Sequence, residues 1–231
     1  MIDLPASTDH FDGFGPKAID WFIGLEQDNS KRYFEANRAI FNEHIREPMY
    51  AFMMEASTHF GGDVKMFRPY RDIRFSNDKS PYKTATYGVV RPESSAAGLF
   101  AAISSKGFYA GTGYYQMAID QLERFRTMVE DDSRGEQLKL IVAKAEENWL
   151  TIEGDALKTA PKGYPRDHPR ISLLRMKTLI AGSLLPAGDA LHDRRAFDHA
   201  MATWRTAQPL TAWLDTNVGP TRLGEPSKFG R

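Results

Sequence analysis

The chain has 231 residues, in which 30 Lys and Arg residues balance 30 Asp and Glu residues, and it contains no cysteine. A chain of this length can bury one substantial core. The balanced charge argues against a dedicated duplex-DNA-binding protein, because such proteins usually carry a basic excess that neutralises phosphates. The lack of cysteine excludes disulfides, thiolate metal ligands and cysteine nucleophiles, and it fits a reducing compartment.

No stretch of the sequence has the pattern of a targeting or membrane-spanning segment. Residues 1–14 (MIDLPASTDHFDGF) are acidic where a secretory signal needs a basic start followed by an apolar run. The apolar stretch Ser94–Ser105 is only about half of the roughly 20 residues that a bilayer requires. We therefore expect a soluble, cytoplasmic protein without a membrane partner.

The first third of the chain has helical periodicity. Pro16 suits the first turn of a helix, and Asn29-Ser30 breaks the pattern and caps the next helix. Apolar residues then recur at intervals of three and four over residues 33–45, and Gly61-Gly62 ends the helical region.

The middle of the chain changes to a period of two. Alternation over Arg71–Phe75 predicts a strand, and residues 87–90, 99–105 and 108–112 predict three more. Ser105-Lys106-Gly107 is short enough to be the turn of a hairpin. Neighbouring strands without intervening helices predict an antiparallel sheet.

Helical spacing returns in the last half of the chain. Ser133 and Glu136 have the spacing of a capping box at the start of a helix. A short strand at Thr151–Gly154 and a last strand within Leu173–Leu185 precede the terminal helices. The sequence therefore predicts an α+β fold with N-terminal helices, a central antiparallel sheet and C-terminal helices around one core. We expect residues 1–218 to form a single domain and residues 219–231 to be a flexible tail.

The segment Arg71–Thr84 (RDIRFSNDKSPYKT) concentrates the polar chemistry of the chain. Strand alternation places Arg71 on the side of Ile73 and Phe75, and an inward arginine must be paired because an isolated buried charge is costly. The following turn is rich in residues that cap backbone groups, so it can hold hydrogen-bond donors rigidly. The segment therefore predicts a site for phosphate or carboxylate, although Arg–Asp pairs at a strand end also occur simply to tie a turn to a sheet.

The predicted ligand contacts combine this segment with residues from elsewhere in the chain. They are Arg71, Asp72, Arg74, Ser76, Asp78, Lys79, Tyr82 and Lys83, together with Arg126, Lys162 and Tyr164. A second basic loop, over residues 158–177, supplies Lys162 and Tyr164 and also contains His168. His168 is the candidate catalytic base because histidine is the usual proton carrier near neutral pH, and its alternative role is helix capping or packing.

Established motifs for metals, nucleotides and nucleophilic catalysis are missing. The sequence contains no HExxH pair, zinc-ligand spacing, Walker loop, dinucleotide fingerprint or G-x-S-x-G elbow. We therefore predict no metal and no cofactor, and we leave open whether the protein is an enzyme.

The central segment also resembles a family signature, approximately R-D-x-R-F-S-x-D-K-S-P-Y-K. This is the signature of an uncharacterised bacterial and fungal family, domain of unknown function 2461. Supporting similarity lies at Phe11–Phe14, Asn29–Phe34, Gly111–Arg126, Pro161–Tyr164 and Asp167–Pro169, so the resemblance spans nearly the whole chain. It differs at Asn77, where the family often has a basic residue, and at Lys31–Tyr33, where many relatives have tryptophan before the phenylalanine. The resemblance implies a shared fold and a shared site but no known activity.

Three functions are compatible with these patterns. The leading hypothesis is the binding of an anionic small molecule at the basic segment. The alternative is a non-catalytic protein-interaction module in which the segment is structural. Nucleic-acid binding, with Tyr70, Tyr82 and Tyr164 as stacking surfaces, ranks below both because of the balanced charge. The oligomeric state is left open.

Overall fold

The computed structural model describes residues 10–74 and 76–223. The helices are α1 (Ala18–Gln27), α2 (Lys31–Ala36), α3 (Arg38–Phe41), α4 (Glu47–Phe60), α5 (Ile119–Glu130), α6 (Asp132–Glu147), α7 (Ile171–Leu174), α8 (Arg195–Thr206) and α9 (Gln208–Asn217). The strands are β1 (Asp63–Met66), β2 (Ala85–Arg91), β3 (Gly98–Ser104), β4 (Gly107–Tyr114), β5 (Thr151–Glu153) and β6 (Leu179–Pro186). Within these described ranges, no helix combines the length and the apolar character needed to cross a membrane.

The strands form a six-stranded antiparallel sheet in the order β1-β2-β3-β4-β6-β5. Burial alternates along β2, where Thr86, Gly88 and Val90 face the packed side, as the period of a half-buried strand requires. Ser105 and Lys106 join β3 to β4, which confirms the predicted hairpin. Helices before, between and after the strands confirm the α+β class.

Short-range signals determine the ends of the N-terminal helices. The Ser30 hydroxyl accepts a hydrogen bond from Tyr33 N at 3.2 Å and caps α2, as predicted. Gly61, with φ of +71°, ends α4 in the left-handed conformation that glycine adopts without strain. Between α3 and α4 the helix widens into a π-helical turn over Asn42–Arg46, which the periodicity did not predict.

The strand predicted at Arg71–Phe75 is wrong. Residues 71–74 and 76–80 form a loop, and the strand at this edge of the sheet is β1. Phe75 lies outside the described residues. Asp72 accepts the Arg74 backbone N–H at 3.2 Å and so offers this backbone a local partner in place of a neighbouring strand.

Inter-residue contacts divide the described chain into two compact units. The first comprises residues up to Pro92 with 99–110 and 184–202, and the second comprises 93–98, 111–183 and residues from Thr203 onwards. A cluster of phenylalanines forms the core of the first unit, with ring centroids 5.0–5.4 Å apart. Its members are Phe11, Phe14, Phe52, Phe108 and Phe197.

Helices α5, α6 and α9 supply much of the core of the second unit. Phe125, Leu138 and Leu214 are fully buried there, and Phe125 meets Trp213 edge-on at 6.2 Å. The single domain expected over residues 1–218 stays a prediction. So does the flexible tail, of which residues 224–231 lie outside the described part, while Gly219 O accepts a hydrogen bond from Gln121 at 2.9 Å.

The cap of α6 differs from the predicted capping box. Asp131 is the N-cap, and its carboxylate accepts the Arg134 N–H at 2.9 Å. Ser133 lies inside the first turn of α6. An aspartate at this position also interacts favourably with the positive end of the helix dipole.

Asp131→Ala should therefore lower the free energy of unfolding by about 1 kcal/mol, the usual cost of losing an N-cap. Asp131→Asn should lose less, because an amide oxygen still accepts the hydrogen bond. Ser133→Ala is the matched control and should change stability by under about 0.5 kcal/mol. Urea unfolding at constant m-value measures the three variants. A larger loss in Ser133→Ala than in Asp131→Ala would contradict the assignment of the cap.

Candidate functional site

The basic segment is a closed loop that begins and ends at a pair of tyrosines. Tyr70 and Tyr82 form an isolated antiparallel bridge. On either side of it, Arg71 N donates to Pro81 O at 2.9 Å and Lys83 N donates to Pro69 O at 2.8 Å. The backbone bonds therefore fix both ends of the loop to each other.

Asn29, between α1 and α2, joins this loop to the helices. Its side-chain amide donates to Tyr82 O at 3.1 Å, and its amide oxygen accepts from Tyr82 N at 3.0 Å. The Tyr82 ring is buried and stacks on Phe34 with centroids 4.2 Å apart and planes 4° from parallel. Burial, with a further contribution from Tyr70, raises the pKa of Tyr82, so its hydroxyl is neutral at physiological pH.

Arg71 is paired with Asp78 across the loop. Its Nη1 donates to Asp78 Oδ2, and Asp78 Oδ1 accepts from Ser80 N at 2.9 Å. The Ser80 side chain, Arg71 and the Ser80 backbone hold the pKa of Asp78 well below its usual range. Arg71 is 28% exposed, so it is only partly inward. In the described part of the chain, its Nε and Nη2 donate to no protein acceptor.

Arg74 and Asp72 form a second, more exposed ion pair. Arg74 Nε and Nη2 donate to the two carboxylate oxygens of Asp72 at 2.9 and 2.6 Å, and Arg74 N adds a third bond at 3.2 Å. The side-chain bonds, followed by the backbone bond, lower the pKa of Asp72 to about 2. This pair closes on itself and stabilises the bend of the loop.

The two lysines donate to backbone carbonyls. Lys79 Nζ donates to Ile73 O at 3.0 Å, and Lys83 Nζ donates to Arg68 O at 2.9 Å. Lys83 Nζ also lies 4.8 Å from the ring centroid of Tyr87. Ser76 stays within the loop, where its N–H donates to Ile73 O at 3.3 Å.

A small polar pocket of about 490 Å³ opens beside Arg71. Its lining contains four of the predicted residues, Arg71, Asp78, Tyr82 and Lys83, together with Glu26, Asn29, Ser80, Thr84 and Ala85. Asp72, Arg74, Ser76 and Lys79 are predicted contacts that do not line it. The loop thus divides its charges between a pocket and its own internal bonds.

Asn29 and Glu26 were missed as site residues by sequence reasoning. Asn29 precedes the cap Ser30, and the local sequence indicates only a helix break at this position. Its bond partner is far away in sequence, at Tyr82. No local pattern indicates such a pairing, because it depends on how the loop returns to the helices.

The remaining predicted residues belong to the second unit. Arg126 Nε donates to Leu174 O at 3.2 Å. Burial and the negative charge of Glu130 raise the pKa of Tyr164, and the positive charge of Arg126 opposes this effect. Arg126 therefore acts electrostatically on the Tyr164 hydroxyl. Lys162 is exposed.

His168 has a structural contact in the second unit. Its Nδ1 accepts the Arg170 backbone N–H at 3.0 Å, so this nitrogen carries no proton. Arg170, which is 4% exposed, donates to the carbonyls of Val129 and Glu130 and to the carboxylates of Asp132 and Glu136. His168 therefore orders the turn that leads into this anchor. Its role as a catalytic base stays a prediction.

The lowered pKa of Asp72 can be tested directly by a carboxyl NMR titration. The ionised Asp72 carboxylate should make its full contribution to the free energy of unfolding above the ordinary pKa of 3.8. That contribution should be lost as pH falls through about 2, because the folded state favours the ionised form. Arg74→Gln removes the guanidinium, so the pKa of Asp72 should rise towards 3.8 but stop short of it, since the backbone N–H remains. Asp78 is the internal control and should not shift. An unchanged Asp72 titration in the variant would contradict the ion pair.

Comparison with known proteins agrees with the resemblance seen in the sequence. A family model described as conserved hypothetical protein (DUF2461) matches residues 17–213, which include the closed loop and the second basic loop over residues 158–177. No curated protein matches the chain. Because the model covers most of the sequence, the protein belongs to the DUF2461 family of conserved hypothetical proteins.

Proposed function

We propose that the loop over residues 71–84 binds a small anionic molecule, carrying phosphate or carboxylate, in the pocket beside Arg71. Free donors on Arg71 are the observation that supports this proposal. A guanidinium has five N–H groups in a rigid fork, and among the described residues only Asp78 engages a nitrogen of Arg71. Asp78 thus holds the side chain in position while Nε and Nη2 keep their hydrogens for a ligand.

The surroundings of Arg71 favour an anion of modest size. Lys83 adds positive charge to the lining, and the Ser80 and Thr84 hydroxyls add neutral hydrogen-bonding groups. Glu26 also lines the pocket, but its carboxylate accepts from Ser105 at 2.7 Å and is partly satisfied there. The balance supports an anion that takes a bidentate bond from Arg71.

The internal bonds of the loop support a second candidate function, the protein-interaction module. Arg74, Lys79 and Lys83 all have protein acceptors, as a purely structural motif requires. Under this reading the loop is a rigid surface, and Arg71 contributes only its pair with Asp78. Contributions of Arg126, Lys162 and Tyr164 to ligand binding stay a prediction. A cytoplasmic location, which the absence of cysteine favours, is part of the proposal.

Isothermal titration with phosphate, pyrophosphate and citrate tests the anion site. At least one should bind the wild-type protein, and Arg71→Gln should weaken it tenfold or more, because a charge-assisted hydrogen bond contributes about 1.5–3 kcal/mol. Arg71→Lys keeps the charge but loses the planar fork, so it should bind at an intermediate level.

Arg74→Gln is the matched control, because it removes an arginine of the same loop that does not line the pocket. It should bind the anions as the wild-type protein does. If no anion binds the wild-type protein and Arg71→Gln only lowers Tm, the loop is structural and the interaction module becomes the better reading. Equal losses in Arg71→Gln and Arg74→Gln would also argue against a defined site.

A further inference from the structure

A second and larger pocket, of about 730 Å³, lies in the first unit against α3, the π-helical turn and α4. Its size falls within the range of small-molecule sites, roughly 300–1,000 Å³. Phe34 and Phe41, both almost fully buried, form part of its wall, and Met54, Val64 and Met66 extend the apolar surface. None of the residues that line it lines the pocket beside Arg71.

A single stripe of the helical region lines this pocket at intervals of four residues. The stripe consists of Arg38, Asn42, Arg46, Tyr50 and Met54. In a regular α-helix, each step of four residues drifts by about 40° around the axis, so four steps would turn the stripe by about 160°. The π-helical turn is wider and takes up part of that rotation, as the bond from Glu47 N to Asn42 O shows. Turns of this kind are rare and are often found at functional sites.

Positive charge is present at the same pocket. Arg38, Arg46 and Arg68 line it, against the exposed carboxylates of Glu47 and Asp63. Arg38 pairs with Glu35. Across residues 10–74 and 76–223, the side chains of Arg46 and Arg68 have no hydrogen bond or ion pair. A half-buried arginine without acceptors, such as Arg46, is suited to an anionic ligand.

Aromatic rings form the wall nearest the closed loop. Tyr82 covers one face of Phe34, and Tyr70 packs against both rings at 6.4 Å and 5.3 Å. Tyr70 nevertheless remains 51% exposed, at the pocket. Phe67 and Tyr50 add two more rings to the lining. Offset stacking on such rings favours a flat aromatic ligand over a flexible acyl chain.

We propose that this pocket binds a planar aromatic anion, a ring system with a carboxylate or phosphate group. Tyr70 and Phe67 contact the rings, while Arg46 and Arg68 bind the anionic group. This site is separate from the one at Arg71 and does not depend on it. It adds a second ligand class, since the smaller pocket is polar and the larger one is mostly apolar.

Fluorescence titration with 2-naphthoate tests the proposal on the full chain. The wild-type protein should bind 2-naphthoate at least tenfold more tightly than 2-naphthol, which lacks the carboxylate, and than decanoate, which lacks the rings. Arg46→Gln and Arg68→Gln should each weaken 2-naphthoate about tenfold. Arg68 is exposed on a loop, so its variant keeps the test valid even if Arg46→Gln folds poorly.

Arg32→Gln is the matched control, because Arg32 is 91% exposed in its side chain and does not line the pocket. It should bind 2-naphthoate as the wild-type protein does. Absence of 2-naphthoate binding, equal affinity for 2-naphthol, or tighter binding of decanoate would overturn the proposal.

Discussion

The hydrogen-bonded pair between the Asn29 side chain and the Tyr82 backbone is the contact on which the candidate sites depend. An amide side chain can donate and accept hydrogen bonds at once, so Asn29 pairs with the Tyr82 backbone as a neighbouring strand would. This pairing holds the end of the closed loop against the start of α2 and keeps the Tyr82 ring on Phe34. The stacked rings then lie beside both pockets, since Tyr82 lines the smaller one and Phe34 the larger one.

The sequence predicts the regular elements well because their signals are local. Ser30 caps α2, Gly61 ends α4 and the hairpin turn at Ser105-Lys106 joins two strands, and each needs only a few neighbouring residues. The strand predicted at Arg71–Phe75 fails for the same reason. Alternation of side chains is visible in the sequence, but the competing bond from Asp72 to the Arg74 backbone is a matter of loop conformation.

The candidate site was predictable in its location and less so in its composition. The concentration of charge at residues 71–84 indicates a polar loop. It does not indicate which arginine and lysine side chains form ion pairs within the loop, because Asp72 and Asp78 are each close in sequence to several of them. The sequence does not predict the role of Asn29, because that role depends on a contact with a residue distant in the chain. It does not predict the stripe through Arg46 either, because the stripe depends on a π-helical turn.

The buried and partly buried arginines of this protein differ in the number of protein acceptors that their guanidinium groups contact. This difference distinguishes the structural role of Arg170 from the ligand-binding roles that we propose for Arg71 and Arg46. Arg170 is buried and donates to two carbonyls and two carboxylates, so it has little left to offer a ligand. Arg71 is partly buried and, in the part of the chain that the structure describes, pairs only with Asp78. Arg46 is half-buried and, within the described chain, has no acceptor. Burying a guanidinium without acceptors costs free energy, and this cost is greatest for the arginines with the fewest acceptors. An anion bound at Arg71 or Arg46 would offset the cost by supplying acceptors. An anion at Arg170 would instead have to displace existing hydrogen bonds.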